Sequence, residues 1–360
     1  MSSTMRPPGP ATNIPYLDGW RGIAILLVLI GHFGPPRFWY AGRLGVVLFF
    51  VLSGLFMGRL LFVKRVELPT FFARRFSRII PTLWFYVAVM WVYASYFQPE
   101  IYSASLKEVL VFLGFCSTYA LSVWEVKWPV GQLWSLNVEE HSYVYLAAGT
   151  LIIARSRGML SASRFLAGSV IAISICIAFY MTSVWEVGGS PWRTRTEVAS
   201  LGLVASAAIC VWRENGKLAW MRGAWLPLAA LLIAVGSFIP GSALQWNFSI
   251  AAAPILMAFA VNYVSSFPDI VLRLMGLPIL RWFGTCSFSI YLWQAPFYQA
   301  HTHFGASKSL CLVLGICCGA LSFYLLENPV RLYLNRKWDQ FLERREAHLP
   351  LGADLKSSNS

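Results

Sequence analysis

The chain has 360 residues, of which 57% are hydrophobic and 12% charged, whereas soluble proteins carry roughly 25% charged residues. Because the hydrophobic residues fall in long runs between short charged loops, the composition excludes an ordinary soluble fold and predicts an integral membrane protein. The formal net charge of +13 would suggest a nucleic-acid partner in a soluble protein. Here the basic residues cluster in alternate loops, so we attribute the charge to membrane topology and expect no nucleic-acid partner.

The hydrophobic runs predict an all-α membrane domain of about ten transmembrane helices, since about 17 to 25 residues cross a bilayer. The predicted spans are 17–33, 44–63, 79–97, 133–154, 165–184, 198–212, 224–239, 247–265, 282–300 and 309–326. The first run lacks a basic leader and a small-x-small cleavage site, and it carries Asp18, Arg21 and His32. We therefore expect it to remain in the mature protein as a span.

The distribution of Lys and Arg residues predicts that both termini lie in the cytoplasm. With that orientation, 20 of them lie in inside loops or the tail and seven lie outside, as the positive-inside rule requires. The seven outside residues are Arg37, Arg43, Lys107, Lys127, Arg193, Arg195 and Lys308. Segment 98–132 would also lie outside, and we interpret its apolar run 106–121 as an interfacial or re-entrant helix. An eleventh crossing is the alternative.

The chain divides into three predicted parts. A cytoplasmic segment, 1–15, precedes the membrane domain, 16–331, and a charged tail, 332–360, follows it as a partly helical and partly disordered end. The seven Cys residues lie mostly in apolar runs, with no CxxC pair and no Cys/His ligand spacing. We therefore expect neither a disulfide framework nor a metal site.

Ionisable residues inside spans are costly, and each is a candidate functional residue. In the first span, Arg21 and His32 are eleven residues apart, which returns to within about 20° of the same helix face and separates them by roughly 16 Å along the axis. One face would carry an arginine near the cytoplasmic surface and a histidine towards the other side. The alternative is that Asp18 and Arg21 form an interfacial ion pair and that His32 is a boundary residue.

Five motifs, in order, resemble those of the acyltransferase-3 family, membrane enzymes that modify surface polysaccharides, lipid-linked sugars and some antibiotics. They are LDGWRGIAILLVLIGH (17–32), GVVLFFVLSGLFMGRLL (45–61), RRFSRIIP (74–81), LWSLNVEEHSYVYL (133–146) and SFSIYLWQAPF (287–297). Their order and spacing match from residue 16 to about residue 331. The resemblance implies a multi-pass protein of the bacterial inner membrane, with cytoplasmic acyl-CoA, foremost acetyl-CoA, as the donor and no metal.

The resemblance also implies residue roles. The family's Arg-x10-His pair falls on Arg21 and His32, with the histidine as the catalytic group, and its Arg-x-x-Arg falls on Arg75 and Arg78. These two arginines would share a helix face at the cytoplasmic surface, where with Arg21 they could bind the phosphates of coenzyme A. Ordinary positive-inside charge or contact with anionic lipid is the alternative.

The paired carboxylates Glu139 and Glu140 lie about six residues into a span that enters from outside, roughly 9 to 10 Å deep at 1.5 Å per residue. His32 could lie at a similar depth, so one carboxylate could orient an imidazole that takes a proton from an acceptor hydroxyl. Glu139 shares a helix face with Ser135 and Tyr143, and which glutamate acts stays open. A purely structural bond to a neighbouring helix is the alternative.

A polar stripe, Ser287, Tyr291, Gln294 and Tyr298, recurs at steps of four, three and four in the ninth span. It could line the path of the acceptor or hold helices together. We group the candidate substrate-binding residues as Asp18, Ser135, Tyr143, Tyr291 and Gln294. Gly54 and Gly58 form a GxxxG pair that indicates close helix packing.

The sequence departs from the family pattern at three positions. Val47 replaces a usual acidic residue, Gln294 a frequent histidine, and His141 a more frequent glutamine. We also expect no fused extracytoplasmic esterase-like domain, so that acyl transfer would finish within the membrane domain.

The leading hypothesis is a membrane O-acyltransferase that moves an acyl group from acyl-CoA to a hydroxyl of a sugar, a surface polysaccharide or a lipid-linked glycan. His32 would act as a general base or as a covalent acyl relay. The alternative function is a multi-span transporter or flippase whose buried Arg, His and Glu residues form a proton or substrate pathway. Membrane lipid is an expected partner in either case, and the sequence does not determine the oligomeric state.

Overall fold

The computed structural model describes residues 15–97, 105–120, 130–156, 161–183, 191–218 and 225–347. The predicted N-terminal segment 1–15, apart from its last residue, and the tail beyond 347 lie outside these ranges. So do residues 98–104 and 121–129 of the long loop. Every candidate site residue is described. Within the described ranges the fold is helical, without strands.

Sixteen α-helices form the described part of the chain. They are α1 (Pro15–Phe33), α2 (Tyr40–Met57), α3 (Leu68–Val92), α4 (Leu106–Leu113), α5 (Ser117–Ala120), α6 (Trp134–Arg155), α7 (Ala162–Ser183), α8 (Thr196–Ala199), α9 (Leu201–Glu214), α10 (Trp225–Phe238), α11 (Ala243–Ala251), α12 (Ala253–Asn262), α13 (Asp269–Met275), α14 (Pro278–Phe304), α15 (Lys308–Ser322) and α16 (Asn328–Ala347). Short π-helical turns extend three of them, at Gly58–Val63, Tyr93–Phe97 and Phe323–Glu327.

Each of the ten predicted spans coincides with a helix or a helix pair, although fewer qualify as full crossings. Among the described residues, six helices are long and apolar enough to cross a membrane, and two bent pairs raise the number to eight. One bent pair is α11 with α12, at 45°, and the other is α13 with α14, at 52°. Because α10 has only 14 residues, about 21 Å at 1.5 Å per residue, it falls short of a bilayer core of about 30 Å. The count of ten therefore stays a prediction.

Helix α1 lies at the centre, with α2 on one side and α14 on the other. Glycines make the α1–α14 approach close: a Cβ at Gly22 would overlap the carbonyl oxygen of Leu280, and one at Gly284 would overlap that of Asp18. Small residues let membrane helices approach at the backbone. This contact fixes the faces of α1 and α14 that carry the site.

The predicted role of the GxxxG pair is confirmed. Gly54 faces the backbone of Leu203 and Gly58 faces that of Ala207, with no room for a Cβ at either glycine. The pair therefore packs α2 against α9, which together with α8 forms the most buried of the six candidate spans, Thr196–Glu214.

Segment 106–121 contains two short helices, the eight-residue α4 and the four-residue α5. At 1.5 Å per residue α4 is about 12 Å long, too short to cross a bilayer. The described residues of this segment therefore favour the interfacial or re-entrant interpretation over an eleventh crossing. A capping box formed by Ser105 and Glu108 begins α4, which satisfies two otherwise free backbone N–H groups.

The first part of the charged tail is a helix that is docked on the bundle. Helix α16 continues α15 through the π-helical turn and packs along α3. Ser77 donates a hydrogen bond to Asn335 at 2.8 Å, and Arg74 forms an ion pair with Asp339. These contacts place α16 beside the basic motif of α3.

Candidate active site

A cavity of about 450 Å³ opens between α1, α2, α3, α6 and α14, and residues of all five sequence motifs line it. Eight of the eleven predicted site residues lie in its wall. They are Asp18, Arg21, Arg75, Arg78, Ser135, Glu139, Tyr143 and Tyr291. Apolar side chains, among them Phe49, Phe288 and Leu292, complete the lining. Residues far apart in the chain thus form one partly polar and partly apolar chamber.

The ionic centre of the cavity is Arg75. Its Nη2 lies 2.8 Å from Glu140 Oε1 and 3.2 Å from Glu139 Oε1, and its Nε donates to Glu140 at 2.9 Å. The guanidinium also lies 3.9 Å from the centre of the Tyr143 ring, a cation–π contact. Glu139 in addition accepts hydrogen bonds from Ser53 and Tyr143. Two partly buried carboxylates and one arginine therefore form a preassembled ion cluster.

Arg21 and Arg78 add positive charge that these glutamates do not fully neutralise. Arg21 donates to Ser287 at 3.1 Å rather than pairing with Asp18. Arg78 is repelled by Arg21, and its Nε is buried without a hydrogen-bond partner. Guanidinium groups with free donors at a cavity wall can bind phosphate or carboxylate.

Sequence reasoning missed two charged residues here, Glu327 and Arg331. Arg331 lines the cavity. Glu327 is 1% exposed, and it accepts a hydrogen bond from Ser289 at 2.6 Å through one carboxylate oxygen while the other has no hydrogen-bond partner. Its charge attracts Arg78 and Arg331. Glu327 directly follows the last predicted span, and the rule that intramembrane carboxylates mark sites could have identified it.

His32 lies outside the cavity lining, near the end of α1, and Gln294 holds it in place. The Gln294 amide nitrogen donates to the Tyr291 carbonyl at 3.3 Å, so that its oxygen faces His32 Nδ1 at 2.7 Å. Because an amide oxygen can only accept, Nδ1 carries the proton in this pair. The other ring nitrogen, Nε2, then has a lone pair available in the neutral imidazole. The ring of Tyr298 stacks on the imidazole at 4.5 Å.

The expected pairing of His32 with Glu139 or Glu140 is wrong in geometry, because both glutamates bind Arg75. The two glutamates do not lie at the predicted depth, because α6 does not begin at the edge of the bundle. Gln132 lies just before α6. It donates to the hydroxyl of Tyr86, in α3, at 2.7 Å and to the carbonyl of Leu292, in α14, at 3.3 Å. The glutamates therefore lie level with Arg75, and Gln294 takes the orienting position that we assigned to a carboxylate.

The polar stripe of α14 connects the cavity to His32. Ser287 binds Arg21, and Tyr291 shares a 2.7 Å hydrogen bond with Ser135. Gln294 and Tyr298, further along the stripe, both contact His32. Ser287 and Tyr291 also line the cavity. The stripe thus bonds helices together, as one of the two interpretations predicted, and its other residues extend from the cavity wall to His32. A role in the path of the acceptor stays a prediction.

Comparison with known proteins decides the family. The acyltransferase-3 family model, described as an acyltransferase domain, matches residues 14–326. The chain belongs to the acyltransferase-3 family. Residues 14–326 thus form an acyltransferase domain of this family, as the five motifs implied.

Three curated relatives illustrate what this family member is similar to. The peptidoglycan O-acetyltransferase OatA of Listeria monocytogenes is 24% identical over 88% of the chain and 56% of the relative. The putative peptidoglycan O-acetyltransferase YrhL of Bacillus subtilis is 27% identical over 88% and 55%. The putative membrane-bound transacylase BcsY of Komagataeibacter xylinus is 27% identical over 89% and 83%. The chain thus spans about half the length of the first two. No solved structure matches it.

Proposed function

We propose that this acyltransferase moves an acetyl group from acetyl-CoA to a hydroxyl of a glycan and that His32 performs the chemistry. The observation that carries the proposal is the polar stripe of α14. Its Ser287 and Tyr291 line the cavity that holds Arg21, Arg75 and Arg78, and its Gln294 and Tyr298 contact His32.

The donor would enter at the arginines. Coenzyme A carries several phosphates at one end and its thiol at the end of a long flexible arm. Arg21 and Arg78, both in the cavity wall, suit the phosphates, and the Nε of Arg78 has no hydrogen-bond partner. Arg75 already pairs with both glutamates and would position the cluster. The apolar wall of Phe49 and Leu292 suits the arm. Arg21 and His32 are separated by about 16 Å along α1, a gap that the arm would span.

The chemistry at His32 has two balanced forms. In direct transfer, Nε2 takes the proton of the acceptor hydroxyl, the oxygen attacks the thioester carbonyl, and the C–S bond breaks. The coenzyme thiolate leaves and is protonated. In the relay, Nε2 attacks the thioester and the C–S bond breaks, which leaves an N-acyl-imidazolium and a thiolate that takes a proton from water. The acceptor hydroxyl then attacks the acyl carbon, the C–N bond breaks, the hydroxyl proton goes to water, and the neutral imidazole is restored. A proton on Nδ1 leaves Nε2 free for either form.

The acceptor in this proposal is a glycan of the cell wall. Its support is that OatA and YrhL carry names that state peptidoglycan O-acetylation. The Lys and Arg distribution supports an orientation with both termini in the cytoplasm. The arginine cavity would then face the cytoplasm, where the donor is, and His32 would lie towards the opposite side of a bacterial inner membrane.

Glycan analysis tests this function. The gene would be expressed in a host whose own peptidoglycan O-acetyltransferase is deleted, and the O-acetyl content of isolated muropeptides would be measured by mass spectrometry. We expect acetylated muropeptides with the wild type and none with His32→Ala. His303→Ala, at an exposed position in the last turn of α14, is the matched control and should retain the wild-type content. Full acetylation by His32→Ala would refute the role of His32, and unmodified muropeptides with the wild type would refute the acceptor.

A further inference from the structure

A second group of arginines lies far from the cavity and has no assigned role. Arg43, in α2, and Arg193, in the 3₁₀ turn Pro191–Thr194, both lie over the ring of Trp246 in α11, each with its guanidinium carbon 4.9 Å from the ring centre. The two cations are therefore within about 10 Å of each other. Arg193 also lies 5.3 Å from the ring of Trp192. Two arginines from separate segments thus converge on one aromatic centre.

Among the residues that the structure describes, no carboxylate forms an ion pair with Arg43 or Arg193. Within the described ranges, the charged group that acts on Arg43 is Arg193, which repels it. The Nε of Arg193 is buried and makes no hydrogen bond. Arg195, two residues further on, has by contrast a carboxylate partner in Glu197 at 3.8 Å. Like charges held this close in a partly buried site are costly, and an anion between them would remove the repulsion.

The position of this group indicates where the anion comes from. Gly42 of α2 packs on Gly31 of α1. Arg43 directly follows Gly42, and His32 directly follows Gly31. The arginines therefore lie near the level of His32, about three helical turns from Arg21. Trp39, which is 51% exposed, contacts the Trp246 ring at 5.8 Å. Tryptophan is enriched at the level of the lipid headgroups, where phosphate is abundant. Guanidinium groups bind phosphate through paired N–H donors.

We propose that Arg43, Arg193 and Trp246 form a binding site for the phosphate group of a membrane lipid. The arginines donate hydrogen bonds to the phosphate oxygens, and Trp39 and Trp246 pack beside the lipid headgroup. Phospholipids and lipid-linked sugars share this chemistry. The site is separate from the acyl-CoA cavity, and its occupancy is measurable whether or not the protein transfers acyl groups.

Native mass spectrometry of the purified full chain tests the site, with phosphatidylglycerol and phosphatidylcholine titrated in turn. We expect wild-type protein to retain phosphatidylglycerol preferentially. Arg43→Gln and Arg193→Gln should each weaken its retention about tenfold, because each removes charge-assisted hydrogen bonds to the phosphate. Arg37→Gln is the matched control, because Arg37 makes an equivalent contact with Phe38, at 4.9 Å, outside this group. Equal retention by all four proteins would overturn the proposal.

Two further arms distinguish the phosphate source and guard against unfolding. Displacement of phosphatidylglycerol by undecaprenyl phosphate, but not by millimolar inorganic phosphate, is the expected result. Displacement by inorganic phosphate would overturn the lipid assignment.

If the Gln variants unfold, Arg43→Lys and Arg193→Lys keep the charge but lose the planar donor fork. We expect their lipid preference to fall and to disappear at high salt, and an undiminished, salt-independent preference would contradict the site.

Discussion

The hydrogen bond between Gln294 and His32 gives the sharpest prediction, because it fixes which imidazole nitrogen is free. Gln294→Leu keeps a side chain of similar size but removes the acceptor of the 2.7 Å bond. Gln294 is fully buried, so no water readily replaces it. Nδ1–H would lose its partner, and the ring could rotate or exchange tautomers.

The magnitude follows from that single bond. A buried hydrogen bond contributes about 0.5 to 1.5 kcal/mol, and leaving its donor unsatisfied costs about 1 to 3 kcal/mol. If about 1 to 2 kcal/mol of this is lost in the transition state, kcat falls roughly 5- to 30-fold at 1.4 kcal/mol per factor of ten. The KM for acetyl-CoA should change little, because the Gln294 side chain contacts His32 rather than the cavity.

The assay is acetyl transfer by protein in lipid nanodiscs, with kcat and KM measured separately and a thermal melt to verify folding. Gln245→Leu is the matched control, since it removes an amide–carbonyl bond of 3.0 Å, to Gly236, in a different part of the fold. We expect Gln245→Leu to keep the wild-type kcat. A normal kcat in folded Gln294→Leu would refute the claim that Gln294 orients the reactive imidazole.

Three further predictions concern the cavity and the helix packing. Arg78→Ala should weaken acetyl-CoA binding by about tenfold or more, since a hydrogen bond to a charged group contributes about 1.5 to 3 kcal/mol. The control Arg74→Ala removes an exposed ion pair and should leave the affinity unchanged. Equal affinities of the two variants in a calorimetric titration would contradict the prediction. Gly22→Val should destabilise the protein by about 1 to 3 kcal/mol through overpacking. The control Gly168→Val should cost less, because a Cβ at Gly168 would have no neighbouring atom within 4 Å. Equal shifts of the two variants in thermal melts would argue against the close α1–α14 contact. Arg75→Met should cost about 3 to 5 kcal/mol, because it leaves two buried carboxylates without their partner, and a wild-type denaturation midpoint would exclude that pairing.

Much of the fold could be predicted from the sequence, because membrane helices reveal themselves by length and apolar composition. Each predicted span has a helical counterpart. Two predicted spans have no counterpart among the candidate crossings: α10 is short, and α6 is long enough but carries polar residues such as Glu139 and Glu140. In the two bent pairs a proline stands at the start of the second helix, Pro254 in α12 and Pro278 in α14, and proline interrupts a helix. The docking of α16 on α3 depends on tertiary contacts, such as that of Ser77 with Asn335.

The sequence predicted which residues belong to the site but not which of them form ion pairs or hydrogen bonds with each other. The cost of burying polar groups identified Arg21 and Glu139, and the family resemblance identified Arg75. All three line the cavity. Which carboxylate meets which cation depends on how deep each helix begins, and α6 begins inside the bundle rather than at its edge. For that reason the sequence suggested Glu139 or Glu140 for His32, whereas the structure pairs both glutamates with Arg75.

Acetyl transfer by purified protein tests the central claim most directly. Wild-type protein and His32→Ala, both in nanodiscs, would be given radiolabelled acetyl-CoA and a soluble muropeptide acceptor, and the label in the acceptor and the release of free coenzyme A would both be measured. The account predicts that the wild type labels the acceptor with matching release of coenzyme A. It predicts that His32→Ala still binds acetyl-CoA, since Arg21 and Arg78 are intact, but transfers nothing. Transfer by His32→Ala at the wild-type rate would contradict the account.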